Sequence, residues 1–89
     1  MQTMFEIKFT DEAVDDLQCF NKWEQKQIVT ALETRLRLRP AIESTDIKRL
    51  NPKGAAEWEI RVGAARVFYD VNVRNSTVKI EAVGKKLSL

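Results

Sequence analysis

The segment from Glu57 to Val83 consists of three short runs in which apolar and charged residues alternate. In a strand, successive side chains project to opposite faces, so a period of two places the apolar residues on one face and the charged residues on the other. A helix would not separate the two kinds of residue in this way. Gly63 and residues 74–76 separate the runs, and such short spacers leave no room for a crossover helix. The segment is therefore predicted to form an antiparallel meander with one face on a core and one face open.

The alternation also assigns each side chain of the meander to a face. The face predicted to be apolar carries Trp58, Ile60, Val62, Val67, Tyr69, Val71, Val73, Val78, Ile80 and Ala82. The face predicted to be open carries Glu57, Glu59, Arg61, Arg66, Phe68, Asp70, Asn72, Lys79, Glu81 and Val83. A functional site is expected on this open face or at its edge, in residues 83–89.

The residues before the meander predict a strand and two helices. Residues 4–9 alternate like a strand, and Thr10 is a suitable N-cap for a first helix over residues 11–20. Asn21 separates this helix from a second one, which ends before Pro40. The apolar face of the second helix is predicted to include Trp23 among its members. Two helices joined this tightly make a hairpin whose apolar stripe requires a sheet to cover it.

The remaining segment is predicted to connect the helices to the meander. Residues 46–50 read as a short strand or an extended lead-in, and residues 51–54 as a turn. The fold class is therefore α+β: an N-terminal strand and a helix hairpin pack on one face of an antiparallel sheet of about four strands, in a single domain spanning residues 1–89. The predicted core consists of Phe5, Ile7, Phe9, Val14, Leu17, Phe20, Ile28, Leu32, Leu36, Trp58, Ile60, Val67, Tyr69, Val71, Val78 and Ile80.

Composition restricts the chemistry that this chain can perform. It contains no histidine and one cysteine, so neither an imidazole base nor a zinc site is expected, and acid–base work must fall to Glu, Asp, Lys or Tyr. Cys19 lies among apolar helical positions and is interpreted as a small core residue in a reducing compartment.

No apolar run is long enough to span a bilayer, so a cytoplasmic location is expected. Basic residues are concentrated in residues 35–53 and 84–86, which suits a polyanion or an acidic partner.

The strings EWEIRVGAARVFYDV and VKIEAVGKK resemble the RelE/ParE superfamily of toxins from bacterial type II toxin–antitoxin systems. In that family an arginine ends one strand, a Gly turn and a second Arg follow, then an apolar pair with Tyr, and finally a strand that ends in Val-Gly-basic. The strings DEAVDDL and QIVTALETRLRLRP look like the family's opening helices, so the resemblance spans nearly the whole chain. It implies a RelE/ParE-like fold and a cognate antitoxin that forms a hetero-oligomer with the toxin.

The resemblance leaves the activity open between two branches, because both branches share the fold. RelE-like members enter the ribosome and cut mRNA, whereas ParE-like members inhibit DNA gyrase without being nucleases. We favour a metal-independent, cofactor-free mRNA endoribonuclease that inhibits translation, with the ribosome and mRNA as partners and no membrane role. The alternatives are a ParE-like inhibitor of DNA gyrase and a degenerate toxin without nuclease activity.

Four basic residues match or adjoin positions that the family uses for catalysis. Arg66 matches the family's catalytic arginine and can offer a bidentate fork to a phosphate. Lys86 matches the second basic position, and Lys85 beside it is expected to be an equally reachable donor. Arg61 on the neighbouring strand is expected to orient the scissile region. Tyr69 has a counterpart in the family, but it falls on the apolar face and is predicted to be core.

The chain also departs from the family pattern. Where well-known RelE members carry two lysines before the Gly turn, this sequence has Glu57 and Glu59, and no aromatic residue or histidine follows Lys86. One interpretation is that Glu59 or Glu57 acts as the general base, held ionised by nearby arginines. The other is that both carboxylates form ordinary cross-strand ion pairs with Arg66 or Lys79.

A second basic cluster precedes the meander. It consists of Arg37, Arg39, Lys48, Arg49 and Lys53, with Arg35 beside it in sequence. One interpretation is contact with ribosomal RNA phosphates, which would give a steep salt dependence without base specificity. The other is a solvated helix end followed by a soluble turn, since a helix C-terminus attracts cations regardless of any ligand.

Overall fold

The structure is a computed structural model, and it describes residues 3–50 and 56–85. Within these residues the chain forms two helices and five strands in an α+β arrangement, as predicted. In chain order the elements are β1 (Glu6–Phe9), α1 (Asp11–Gln18), α2 (Lys22–Leu36), β2 (Ile47–Arg49), β3 (Trp58–Val62), β4 (Ala65–Asn72) and β5 (Thr77–Lys85). The predicted turn at 51–54, together with Lys53 and Lys86, lies outside the described residues.

The five strands form one sheet in the order β1-β5-β4-β3-β2. The β3, β4 and β5 strands form the predicted antiparallel meander, and β1 pairs with β5 in parallel. The sheet has five described strands instead of about four because Ile47–Arg49 pairs with β3 as an edge strand. Three residues are too few to show an alternation, so the sequence could not distinguish this strand from a lead-in.

Local side-chain hydrogen bonds begin both helices where the sequence indicates. The Thr10 hydroxyl accepts a hydrogen bond from the Ala13 N–H at 3.0 Å. Asn21 and Glu24 form a reciprocal capping box, with hydrogen bonds of 2.7 and 3.1 Å, at the start of α2. Such caps satisfy amide groups that have no partner inside the helix. No helix in residues 3–50 and 56–85 combines the length and the hydropathy that a bilayer crossing requires.

Most of the predicted core is buried between the helices and one face of the sheet. The residues with no exposed surface include Leu32, Leu36, Ile60, Val67, Tyr69, Val78 and Ile80. Four predictions were wrong: Cys19 is exposed, and Val14, Trp23 and Val73 are 42, 67 and 72% exposed. Cys19 is the C-cap of α1, and Val73 follows the last residue of β4 in a turn. Trp23 lies in the first turn of α2 and lines a surface groove, while Ala13 takes the buried position beside Val14 on α1.

A β-bulge in β5 reverses the alternation near the end of the sheet. Phe68 pairs with Ala82, whereas the next residue of β4 pairs with Ile80, so Glu81 is the extra residue. Val83 is consequently buried, and Ala82 lies on the open face. The sequence predicted the opposite assignment for Val83 and Ala82. An unbroken alternation in the sequence carries no sign that one residue of the strand will be left unpaired.

The first helix is hydrogen-bonded to β5 at this bulge, beyond the point where β1 ends. The Thr10 N–H donates to the Ile80 carbonyl at 3.0 Å, and the Thr10 hydroxyl donates to the Glu81 carbonyl at 3.1 Å. The Asp16 carboxylate accepts the Val83 N–H at 2.9 Å. These contacts satisfy backbone groups that a bulged strand would otherwise leave unpaired. The bulge and its reversed face assignment are therefore fixed by α1.

Tyr69 is a buried core residue whose hydroxyl is also satisfied. The hydroxyl donates a hydrogen bond of 2.7 Å to the Pro40 carbonyl, and burial raises the pKa of Tyr69 well above its ordinary value. We expect Tyr69→Phe to lower the free energy of unfolding by about 1 kcal/mol, because the buried carbonyl loses its donor. Urea unfolding monitored by circular dichroism checks this. An unchanged midpoint would show that the hydrogen bond contributes nothing to stability.

Candidate functional site

Three basic side chains and one carboxylate lie together on the open face of the sheet. We call this set the arginine patch, and it consists of Lys48, Glu59, Arg61 and Arg66. Lys48 lies opposite Glu59 across the β2–β3 ladder, and Arg61 lies opposite Arg66 across the β3–β4 ladder. Residues directly opposite in an antiparallel ladder project to the same face. The patch thus draws its members from three adjacent strands and carries three positive charges against one negative charge.

Glu59 is buried, although it lies on the face predicted to be exposed. Its exposed fraction is 5%, and its cross-strand neighbours are Lys48 on one side and Phe68 on the other. The Glu59 Oε2 atom lies 3.8 Å from the Arg66 Nε atom. A buried carboxylate is expensive unless an opposite charge lies close to it, so Arg66 offsets this burial. The expected cross-strand ion pair is therefore present, and Glu59 is also held at a fixed position within the patch.

Arg61 and Arg66 retain hydrogen-bonding capacity that the described part of the chain does not use. Their Nε atoms are buried and have no hydrogen-bond partner among the described residues. The two side chains also lie directly opposite each other, and like charges in this position repel. The Arg66 side chain is 40% exposed, so part of it still faces solvent. An anion bound at the exposed part of these guanidinium groups would relieve the repulsion between them.

The structure does not bring Lys85 to the arginine patch. Lys85 pairs with Ala65, which is buried in the core, and its Nζ atom lies 5.2 Å from the ring centroid of Phe20. The residue opposite Arg66 is Gly84. The expectation that Lys85 is an equally reachable donor for a phosphate at Arg66 is therefore not met. The reversed alternation after the β5 bulge is the reason, since it turns Lys85 toward the helices.

The second basic cluster is divided between different surfaces. Arg37 is the C-cap of α2, and Arg39 lines a groove on the helix side of the molecule. The guanidinium carbon of Arg49 lies 5.9 Å from the ring centroid of a core tryptophan, away from the patch. Lys48 is thus the one described member of this cluster that belongs to the arginine patch. A role for the remaining described members in binding RNA stays a prediction, as does that of Lys53, which lies outside the described residues.

A second charged group lies farther along the open face, where the alternation placed Glu57, Asp70, Lys79 and Glu81. The Asp70 carboxylate accepts the Glu57 N–H at 2.8 Å, and the Lys79 Nζ atom lies 3.4 Å from the Glu81 carboxylate. The hydrogen bond that a protonated Glu81 donates to the Asp70 carboxylate, with burial second, raises the pKa of Glu81, and the Lys79 charge opposes this rise. Asp70 lies four residues from Arg66 along one strand, roughly 13 Å away. It is therefore too far away to act on a phosphodiester held by Arg66.

The raised pKa of Glu81 predicts that the stability of the protein depends on pH in a specific way. A raised folded-state pKa favours the protonated carboxyl group, so its stabilising contribution is present at low pH and is lost as pH rises through that pKa. We expect Glu81→Gln to remove this loss, so the stability difference between variant and wild type grows with pH. Urea unfolding between about pH 4 and pH 7 measures it. Asp15→Asn, an exposed carboxyl on α1, is the control, and equal pH profiles for both variants would contradict the prediction.

Metal ligands are not grouped in the described part of the chain. Within residues 3–50 and 56–85 there is no cluster of three or more Cys, Asp or Glu side chains with the geometry to hold a metal ion. The arrangement that is present offers donors and positive charge for an anion, with one carboxylate as a possible proton acceptor.

Comparison with known proteins identifies the fold. The sequence matches no protein-family model and none of the curated proteins. The structure is similar to a chain of the RelBE2 toxin–antitoxin complex from Mycobacterium tuberculosis, with a TM-score of 0.84 and 22% identity over 99% of this chain and 98% of that chain.

Two further solved structures give the same result. A chain of the archaeal RelE–RelB complex from Pyrococcus horikoshii has a TM-score of 0.77 and 20% identity, over 98% of this chain and all (100%) of that chain. The isolated RelE toxin of E. coli has a TM-score of 0.67 and 21% identity, over 96% of this chain and 87% of that chain. The protein therefore has the fold of the RelE toxins along nearly its whole length.

Proposed function

We propose, with the RelE toxin fold as the premise, that this chain is the toxin of a type II toxin–antitoxin system and that it cleaves mRNA on the ribosome. One observation carries the nuclease part of the proposal. Arg61 and Arg66 stand opposite each other, beside the buried carboxylate of Glu59, and their Nε atoms have no hydrogen-bond partner in the part of the chain that the structure describes. This arrangement combines an anion site with a proton acceptor.

The arginine patch suits cleavage by an internal 2′-hydroxyl group. In this reaction Glu59 accepts the proton of the 2′-hydroxyl while its oxygen attacks the adjacent phosphorus atom. The two guanidinium groups stabilise the additional negative charge of the pentacoordinate transition state. The bond to the 5′-oxygen then breaks, and that oxygen takes a proton. The products are a 2′,3′-cyclic phosphate and a 5′-hydroxyl end. We propose Lys86 as the proton donor because it matches the second basic position of the family that the sequence resembles.

Lys48 extends the patch toward the edge of the sheet. It is exposed on β2, one ladder position from Glu59, so it can contact a phosphate next to the scissile one. Contacts of this kind add affinity that falls with salt and carries no base specificity. Three basic side chains give only modest affinity for free RNA, which is consistent with an enzyme that depends on the ribosome to present its substrate.

Primer extension on mRNA that is being translated tests the activity. The wild-type protein, induced in cells or added to a reconstituted translation system, is expected to produce discrete cuts within the translated region. The same RNA without ribosomes is expected to stay intact. Intact transcripts under both conditions would remove the nuclease proposal.

A non-enzymatic inhibitor of DNA gyrase is the second candidate, and the position of Lys85 favours it. Lys85 turns toward Phe20, so it does not reach a leaving oxygen at Arg66. Among the described residues, this leaves Lys48, at the edge of the patch, as the one lysine on the same face within reach of that oxygen. A supercoiling assay with purified protein and gyrase separates the two candidates. Inhibition of supercoiling with intact mRNA would select the gyrase inhibitor.

The proposed function includes a cognate antitoxin as partner. The solved structures with this fold include complexes of RelE with RelB. The protein encoded by the adjacent reading frame is the expected partner, and it is expected to copurify with this chain and to suppress its toxicity.

A further inference from the structure

Phe68 is an aromatic residue on the open face of the sheet, beside the arginine patch. It lies on β4 two residues after Arg66 and directly opposite Glu59 across the β3–β4 ladder. Phe68 is half-buried, and it belongs neither to the hydrophobic core nor to the partly buried residues that pack against the core. Phe5 and Phe9, by contrast, do pack against the core. Packing of the core therefore does not explain an aromatic side chain at this position.

The surface next to Phe68 is open because the neighbouring strand carries small residues there. On β5, Ala82 pairs with Phe68, and Gly84 pairs with Arg66. A methyl group added at Gly84 would meet no atom within 4 Å among the described residues. Neither Ala82 nor Gly84 is large enough to cover the ring of Phe68, so this side of β4 leaves room for a flat ligand.

The open face of β4 changes in charge from one side of Phe68 to the other. Arg66, Phe68 and Asp70 are spaced two residues apart, so each step is about 7 Å along the strand. The guanidinium group of Arg66 attracts a phosphate, whereas the carboxylate of Asp70 repels it. A phosphodiester held at Arg66 is thus repelled from the far end of β4, while an uncharged base is free to lie on Phe68.

We propose that Phe68 stacks on the base of the nucleotide whose 2′-hydroxyl group attacks the scissile phosphate. The inference rests on the proposed function, because it takes Glu59 as the group that accepts the proton of this hydroxyl. Glu59 and Phe68 are directly opposite each other, which places their Cβ atoms about 5 Å apart. A ribose at Glu59 therefore brings its own base close to the ring of Phe68, while its 3′-phosphate lies at Arg66.

Stacking makes Phe68 a positioning residue for the attacking nucleotide. A base–aromatic stack accepts any base, because every base has a π face. The stack fixes the ribose relative to Glu59 and aligns the 2′-oxygen with the phosphorus atom and the leaving oxygen. It therefore increases the rate of the chemical step as well as the affinity for the substrate.

Variants of Phe68 test the proposal on ribosome complexes that carry an mRNA with a mapped cut site. Phe68→Leu keeps an apolar side chain beside Glu59 but has no aromatic face. At saturating protein it is expected to cut roughly fivefold more slowly or worse, which is the smallest loss typical of a base–aromatic stack. Phe68→Tyr keeps the ring and is expected to cut at nearly the wild-type rate. Trp23→Leu is the matched control, because Trp23 is an aromatic residue outside the patch that is 67% exposed.

A second mRNA separates stacking from a structural role of Phe68. In this mRNA the nucleotide on the 5′ side of the cut keeps its ribose and 2′-hydroxyl group but has no base. The wild-type protein is expected to cut it roughly fivefold more slowly than the normal mRNA, and Phe68→Leu is expected to cause no further loss. A residue that only supports the fold would lower cutting of both mRNAs by the same factor.

The outcomes distinguish this inference from the proposed function. Equal losses from Phe68→Leu on both mRNAs overturn the inference, as does wild-type cutting of the abasic mRNA at the normal rate. Full activity of Phe68→Leu on the normal mRNA also overturns it, while the dependence of cutting on Arg66 leaves the proposed function in place. No cutting of the normal mRNA by the wild-type protein removes both. Urea unfolding shows whether the variants are folded, and Phe68→Met replaces Phe68→Leu if the latter is less stable than the wild type.

Discussion

Replacement of Arg66 by alanine is expected to reduce mRNA cleavage at least a hundredfold, roughly the loss seen when one donor to a transition-state oxyanion is removed. Arg66 is the patch arginine that lies 3.8 Å from Glu59 and still has solvent access. Primer extension at equal protein levels measures the remaining cuts. Arg66→Lys retains the charge but not the planar fork, so we expect it to remain strongly impaired.

The matched control for Arg66 is Arg74→Ala. Arg74 is an exposed arginine in the turn between β4 and β5, outside the patch, and its loss is expected to leave the cutting pattern unchanged. Since removal of Arg66 leaves Glu59 buried without its ion pair, urea unfolding of the Arg66→Ala protein shows whether its lost activity is only lost folding. Wild-type cutting by a folded Arg66→Ala protein would show that the patch is not the catalytic site.

Replacement of Leu32 by alanine is expected to cost about 2–5 kcal/mol of unfolding free energy. Leu32 lies on the inner side of α2 and has no exposed surface, so the truncation leaves a cavity between the helix and the sheet. This loss is a large fraction of the total free energy of unfolding of a domain of this size, so the variant is expected to be partly unfolded at about 37 °C. Urea unfolding monitored by circular dichroism measures the change.

Leu38→Ala is the control for Leu32→Ala because the substitution is chemically identical. Leu38 follows the end of α2 and is 46% exposed, so its truncation is expected to change stability by less than about 0.5 kcal/mol. Similar losses at both positions would mean that burial does not decide the cost here.

The sequence predicted the elements of the fold well because their signals are local. The caps at Thr10 and Asn21 and the alternation of the meander depend on a few neighbouring residues, and the structure has the helices and strands there. Helix ends were less certain: α1 stops at Gln18, two residues before the predicted end, because the next residues turn toward α2. Similarity in fold to RelE toxins was also indicated by the sequence pattern around Arg66.

The candidate site was predicted only in part, since contacts across the sheet depend on pairing. Arg61, Arg66 and Glu59 lie together on the predicted face because the face to which each side chain projects follows from simple alternation. The burial of Glu59 depends on what its neighbours cover, and alternation carries no information about that. The departure of Lys85 from the patch depends on an unpaired residue in β5, which no local pattern reveals.

The extra residue at Glu81 decides which face the end of the last strand presents. If Glu81 were paired with Phe68 instead of bulged, Val83 would fall opposite Arg66 on the open face, and Lys85 would project to that same face. The bulge therefore keeps Val83 in the apolar interior and Lys85 away from the arginine patch. Deletion of Glu81 would close the bulge but leave Ala82, Val83 and Lys85 with their present partners, so both the interior and the cations of the patch are expected to survive a shortening of the strand by one residue.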